Sequence, residues 1–282
     1  MSITGVLLAT VVVGATGCLI GFFLCFASEK FKVEVDEREV AILDVLPGNN
    51  CGGCGYAGCS GLAAAIVKGE APVNQCPVGG DPVAAKVGEI MGVEASAGVR
   101  QVAFVKCAGT CEKAGNKYEY VGATDCTIMG FVPGGGPKSC KYGCLGFGSC
   151  VQACPFDAIH IVDGIAKVDR EACKACGKCI ETCPRKLIEL VPYQEKRTVV
   201  AVECVNKDKG KAVMDVCAAG CIGCGLCEKN CPKDAVHVED NIAVIDQEKC
   251  IGCTICAQKC PKKVITVYKK APAAKKKEEA TA

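Results

Sequence analysis

Three runs of this chain space their cysteines alike. Cys173, Cys176, Cys179 and Cys183 before Pro184 follow C-x2-C-x2-C-x3-C-P, as do Cys221, Cys224, Cys227 and Cys231 before Pro232 and Cys250, Cys253, Cys256 and Cys260 before Pro261. Such a run suits an inorganic cluster: three thiolates from a tight loop hold one cuboidal iron–sulfur group and the fourth reaches a second. Zinc also takes four thiolates, but from two separated pairs. A fourth run, CKYGCLGFGSCVQACP at 140–155, keeps Cys144, Cys150 and Cys154 in register but has Phe147 where a cysteine belongs. A phenyl ring cannot ligate iron, so this site needs a ligand from elsewhere.

Crossing the runs in the two-cluster manner gives explicit ligand sets. Cys221, Cys224 and Cys227 go with Cys260; Cys250, Cys253 and Cys256 with Cys231; Cys173, Cys176 and Cys179 with Cys154; and Cys144, Cys150 and Cys183 share the incomplete site. Upstream, Cys51, Cys54, Cys59 and Cys76 form a separate C-x2-C-x4-C-x16-C set in a glycine-rich stretch. Cys107, Cys111, Cys126, Cys140, Cys204 and Cys217 remain. In one partition Cys140 completes the Phe147 site, and Cys107, Cys111 and Cys126 hold a sixth cluster with Cys204 or Cys217. In the other, Cys140 joins those three and the Phe147 site keeps three thiolates. The first is preferred, because Gly143 and Gly146 allow a tight loop. The expected cofactors are therefore [4Fe–4S] clusters, at least five and by preference six, with these cysteines as the iron ligands.

Composition supports the metal reading. The 282 residues include 27 cysteines and no tryptophan, in a chain too long for a small disulfide scaffold. The formal charge of +2 counts cysteines as neutral, whereas six clusters with their thiolates make the loaded protein acidic by about ten charges. With no basic tract interleaved with aromatics, nucleic-acid binding is excluded. Gly53, Gly55 and Gly58 match G-x-G-x-x-G but flank cysteines and lack a preceding strand, so they serve the cluster loop rather than a dinucleotide.

The elements that position these residues fall into an α+β arrangement. Residues 3–27 carry no charge, which predicts a single N-terminal transmembrane helix as anchor. Lys30 and Lys32 behind it put the rest of the chain in the cytoplasm, single-pass in the cell membrane. Gly17 and Gly21 could seat a partner helix there, and Cys18 and Cys25 are inert apolar residues. A small α-rich [4Fe–4S] domain is expected over 28–95, with helices at 36–46 and 60–69 and a third, capped by Asp81 with Pro82 in its first turn, ending near Met91. A connecting segment with extra cysteines follows at 96–139. Two tandem two-cluster ferredoxin-like modules occupy 140–203 and 204–268, related by an offset of 77 residues that carries Cys144 onto Cys221 and PFDAIHIVDGIAKVD onto PKDAVHVEDNIAVID. His160 and His237 take matched strand positions and read as structural. VAFVKC ending at Cys107 resembles VVAVEC ending at Cys204, with 20 more residues before the first run than before the second. Residues 269–282 are low in complexity and read as a disordered tail.

These features together resemble one family. The N-terminal apolar run, LPGNNCGGCGYAGC at 46–59 with Cys76, and the ferredoxin modules are similar to the B subunits of the Rnf complexes, the ion-translocating ferredoxin:NAD+ oxidoreductases of bacterial membranes. The second module and inserted cysteines resemble the extended, clostridial-type form. The resemblance implies an electron-relay subunit without a catalytic centre, in a translocase that moves Na+ or H+. Its implied partners are reduced ferredoxin as donor, the flavoprotein and multi-span membrane subunits, and the membrane itself. The alternatives are a membrane-tethered polyferredoxin serving a hydrogenase or corrinoid protein, and a metal scaffold. Lys141, Lys174 and Lys178 would dock an acidic donor.

Overall fold

The computed structural model describes residues 3–30, 36–95, 98–193 and 198–268. Lys32 and the tail read at 269–282 lie outside the described residues.

The charge-free run is helical, α1 (Ile3–Lys30). The expected single transmembrane helix is nonetheless not supported: among the described residues no helix is long and apolar enough to cross a membrane. Gly14, Thr16, Gly17 and Gly21 thin the apolar content of α1.

Three short helices follow. Asp36 caps α2 (Glu37–Val45) by accepting the Arg38 N–H at 2.9 Å. The remaining two are α3 (Cys59–Val67) and α4 (Gly80–Met91), the latter closed by left-handed Gly92. α4 begins before the expected cap; Asp81 lies in its first turn and accepts the Gly98 N–H at 3.2 Å. Their apolar faces meet at Ile42, Leu62, Ile66 and Val87, all fully buried, each worth about 1.5–3 kcal/mol of transfer free energy. This core fixes one end of the loop that carries Cys51 and Cys54.

The rest is one pattern used twice. The first copy runs β1 (Gln101–Val105), α5 (Ser149–Gln152), β2 (Ile159–Val162), β3 (Ile165–Val168), α6 (Lys178–Thr182) and β4 (Ile188–Pro192). The second runs β5 (Val199–Val202), α7 (Gly210–Val216), α8 (Leu226–Lys229), β6 (Val236–Glu239), β7 (Ile242–Ile245), α9 (Ile255–Lys259) and β8 (Ile265–Tyr268). β1 pairs antiparallel with β4 through Val105 opposite Ile188, and β5 with β8 through Val202 opposite Ile265. Hairpins β2–β3 and β6–β7 supply the second ribbon of each copy. Each copy therefore starts a strand earlier than its first cysteine run. β1, expected in a connecting segment, pairs within the first copy, and β5 pairs within the second rather than ending the first.

Candidate metal centres

In each run a glycine or threonine in the left-handed region starts the short helix that carries the third cysteine. Gly148, Gly177, Gly225 and Thr254 take this role ahead of Cys150, Cys179, Cys227 and Cys256. The turn aims the buried third thiol inward, towards the thiols before it.

Three small cavities of similar size are each walled by cysteines. One gathers Cys221, Cys224, Cys227 and Cys260, the crossed set expected from spacing. The second gathers Cys144, Cys150 and Cys183 with Cys126. Burial, and then the neighbouring Cys144, Cys126 and Cys183, push the Cys150 thiol up to about 12. Cys126 is set in place by its backbone N–H donating to Ser149 Oγ at 2.8 Å, while Ser149 donates to Asp125 at 2.7 Å. Cys126 thus shares a cavity with Cys144, Cys150 and Cys183, and Cys140 does not line it.

Cys140 lines the third cavity, with Cys107, Cys204 and Cys217. The cavity walls bring the thiols together differently from both sequence-based partitions, each of which placed Cys107 with Cys111 and Cys126. Cys111 is exposed, its N–H tied to Asp163 O at 2.9 Å. The signal in the sequence for this juxtaposition is the repeat: Cys107 matches Cys204 and Cys140 matches Cys217, so each copy contributes the same pair.

The other sets keep their neighbours. Cys179 is pushed up to about 12 by burial and then by Cys173, Cys176, Cys150 and Cys154. Burial and then Cys250, Cys253 and Cys227 raise Cys256 to about 11, against the pull of the Ala257 N–H. Cys154 and Cys231 accept matched N–H bonds from Ala158 and Ala235 at 3.4 and 3.3 Å. In the N-terminal unit, burial raises Cys76, with Cys54 and Cys59 adding to the rise. Cys18 and Cys25 sit exposed on α1, away from these groups. Neither histidine approaches a cysteine group: His160 faces Asp157 at 3.9 Å and His237 faces Glu228 at 3.5 Å. Of the lysines expected to dock a donor, Lys141 is engaged by Asp208 at 2.9 Å and covers the Tyr142 ring, whereas Lys174 is exposed and Lys178 opens α6 half-exposed.

These surroundings suit a dianionic cluster. Among the described residues no three His, Cys, Asp or Glu side chains converge as a single ion requires; the cysteines ring cavities instead. Lys138, 4% exposed, lines the cavity of Cys107, Cys140, Cys204 and Cys217 with its Nζ unpartnered. A buried ammonium without a counter-charge is costly, and four thiolates around iron supply one. Arg185 donates to Cys140 O, Gly143 O and Gly135 O, spanning the walls of two cavities. The burial-raised thiols must lose their protons to bind metal, so loading releases protons.

Comparison with known proteins agrees with this reading. Residues 46–78 match a family model described as a putative Fe-S cluster domain, and residues 172–235 and 220–264 match one described as a 4Fe-4S dicluster domain. The chain is 47% identical over 248 residues to the B subunit of the Na(+)-translocating ferredoxin:NAD(+) oxidoreductase complex of Acetobacterium woodii, covering 88% of this chain and 73% of that protein. It is 43% identical to the B subunit of the ion-translocating oxidoreductase complex of Methanosarcina acetivorans, covering 84% and 89% of the two chains. To the B subunit of the proton-translocating ferredoxin:NAD(+) oxidoreductase complex of Clostridium ljungdahlii it is 42% identical, covering 86% and 84%. With likeness of this extent, over cysteine-walled cavities of this kind, the chain belongs to the family of B subunits of the ion-translocating ferredoxin:NAD+ oxidoreductase complexes, as an electron-transfer subunit.

Proposed function

We propose that the chain carries electrons along a single file of six [4Fe–4S] sites. In order they are Cys51, Cys54, Cys59 and Cys76; Cys154, Cys173, Cys176 and Cys179; Cys126, Cys144, Cys150 and Cys183; Cys107, Cys140, Cys204 and Cys217; Cys221, Cys224, Cys227 and Cys260; and Cys231, Cys250, Cys253 and Cys256.

The observation that carries the proposal is that consecutive sets are near neighbours. Cys51 adds to the raised pKa of Cys176, and Cys150 to that of Cys179. Cys144 N–H donates to Cys107 Sγ, and Cys221 N–H to Cys204 Sγ, each at 3.3 Å. Cys227 in turn adds to the raised pKa of Cys256. When bound, clusters of this kind supply low-potential one-electron carriage. The protein's own residues hold the sites close together, bury the central ones and cap ligand sulfurs with N–H donors.

Reduced ferredoxin is the electron donor in this reading, and exposed Lys174 and half-exposed Lys178 give an acidic carrier a place to dock. The flavoprotein and the multi-span subunits complete the complex at the cytoplasmic membrane, with the cysteine sites on the cytoplasmic side, where thiols stay reduced. NAD+ reduction and ion movement are the work of those other chains.

Iron analysis of anaerobically prepared, fully reconstituted protein tests the count: six clusters require about 24 iron atoms per chain. Fewer than about 18, or stoichiometric zinc, would exclude it.

A further inference from the structure

The site built from Cys107, Cys140, Cys204 and Cys217 differs from the other five in its surroundings. Lys138 is nine-tenths buried and unpartnered, and it lines this cavity together with Cys107, Cys140 and Cys217. The same ammonium opposes the burial-driven rise of the Cys107 and Cys217 thiols. Other charged side chains on this wall are taken: Lys106 binds Glu189 at 2.7 Å, and Glu203 accepts from Tyr268 at 2.9 Å and faces Lys167.

The sulfurs here are also well supplied with donors. Cys107 Sγ accepts from Cys144 N–H, and Cys204 Sγ from Cys221 N–H and Asn206 N–H at 3.5 Å. Cys140 Sγ accepts from Asn206 Nδ2 at 3.6 Å. Asn206 is itself fully buried, and its Oδ1 is held by the Asp208 N–H at 2.9 Å. One residue thereby serves a sulfur from each copy.

Net charge, hydrogen bonds to sulfur and exposure set a cluster's potential. Burial alone disfavours the reduced form, because one added electron takes the cluster and its thiolates from about −2 to about −3. A fixed positive charge in the same dry space acts against that penalty at low effective dielectric, where it counts most. No bond breaks and no proton moves in that step; the electron comes from the reduced donor.

We propose that Lys138 raises the reduction potential of the Cys107, Cys140, Cys204 and Cys217 centre above those of its neighbours, making the junction between the two copies the place where electrons gather. The inference rests on the six-site reading above. Asn206 is a positioning residue that reinforces the effect through two of the sulfurs.

EPR-monitored redox titration of the full-length holoprotein tests this, with dithionite as reductant. The resonance removed by Cys140→Ser identifies the centre. In Lys138→Met that resonance should need at least a tenfold larger ratio of driving reductant, a fall of about 59 mV for a one-electron couple. Lys138→Arg should keep it near the native midpoint, and both variants should keep native iron content. A native midpoint in Lys138→Met with full iron overturns the proposal, as does loss of the centre in both variants, which would make the residue structural. Loss in Lys138→Met with a native midpoint in Lys138→Arg overturns it as well, since the charge would then hold the centre in place rather than set its potential. Native protein in which Cys140→Ser removes no resonance and no iron would instead overturn the six-site reading.

Discussion

Cys144 donates its backbone N–H to Cys107 Sγ at 3.3 Å, and Cys221 makes the same bond to Cys204 Sγ at 3.3 Å. Cys144 and Cys221 open equivalent runs, while Cys107 and Cys204 follow equivalent strands, β1 and β5. The two copies therefore face each other across the cavity that also holds Cys140 and Cys217, with near two-fold equivalence. A further link crosses the junction: Ala108 N–H donates to Glu203 O at 3.0 Å. A metal group held by these four sulfurs, two from each copy, would join the copies covalently. Electron passage between copies then needs no separate docking step.

Cys126→Ser should convert the site of the Phe147 run to a three-thiolate one. Cys126 borders Cys144, Cys150 and Cys183, and Phe147 has no ligating atom. Quantitative EPR after reconstitution should show a three-iron signal or the loss of one cluster. Adding Phe147→Cys to this variant should restore the four-iron signal, because Phe147 matches the position of the ligand Cys224 in the second copy. Cys140→Ser should leave this site intact and affect the junction. The opposite pattern would return Cys140 to the Phe147 run.

How far the sequence carried the argument follows from where each ligand comes from. The set of Cys221, Cys224, Cys227 and Cys260 was legible because all four lie in runs whose crossing is fixed by local geometry. Cys126 was not, since it reaches its cavity from an insertion of irregular turns, Thr127–Phe131 and Pro133–Gly135, and is placed by Ser149 rather than by any spacing. The matches of Cys107 with Cys204 and Cys140 with Cys217 were visible in the repeat; counting cysteines by segment hid that they form one symmetric set. Strand β1 escaped for a similar reason. Its partner β4 lies 83 residues on at the Val105–Ile188 pair, beyond the reach of local pattern.

Gly53→Ala should loosen the contact between the N-terminal unit and the first copy. A Cβ at Gly53 would lie 2.8 Å from both Cα and O of Cys176, backbone atoms that cannot swing aside. Overpacking of this kind costs about 1–3 kcal/mol. Iron content should stay native, while magnetic coupling between the Cys51–Cys76 centre and the Cys173–Cys179 centre weakens in frozen-solution EPR. Native coupling with native stability would show that the two units do not meet at Gly53.

Gly146→Ala and Gly223→Ala should destabilise their copies in parallel. Both glycines are left-handed, with φ of 79° and 63°, and a Cβ at either would press on a hairpin-turn carbonyl, Gly164 O at 2.5 Å or Asn241 O at 2.8 Å. Handedness alone costs about 1–2 kcal/mol. Thermal unfolding of the holoprotein should fall in both variants, with early loss of iron from the adjoining run. An unchanged unfolding temperature in either would mean that the turn has room to yield.

The last expectation concerns what the isolated protein does with a donor and an acceptor. Reduced low-potential ferredoxin should pass electrons to the purified holoprotein, since both carry clusters in a similar potential range. If docking relies on exposed Lys174 and half-exposed Lys178, the rate should fall as salt rises, because charges more than about 10 Å apart are largely screened at 0.1 M ionic strength. The double change Lys174→Ala and Lys178→Ala should lower the low-salt rate and flatten its salt dependence, whereas Lys141→Ala should change it little, Lys141 being held by Asp208. NAD+ should stay unreduced when this chain acts alone. Hydride transfer needs a group that gathers two electrons, such as a flavin, and the cysteine sites offer single-electron carriers. Stopped-flow absorbance gives the ferredoxin rate and absorbance of NADH gives the second readout. NADH formed by the flavin-free protein would refute the relay assignment, while a salt-independent ferredoxin rate would refute the docking surface and leave the relay standing.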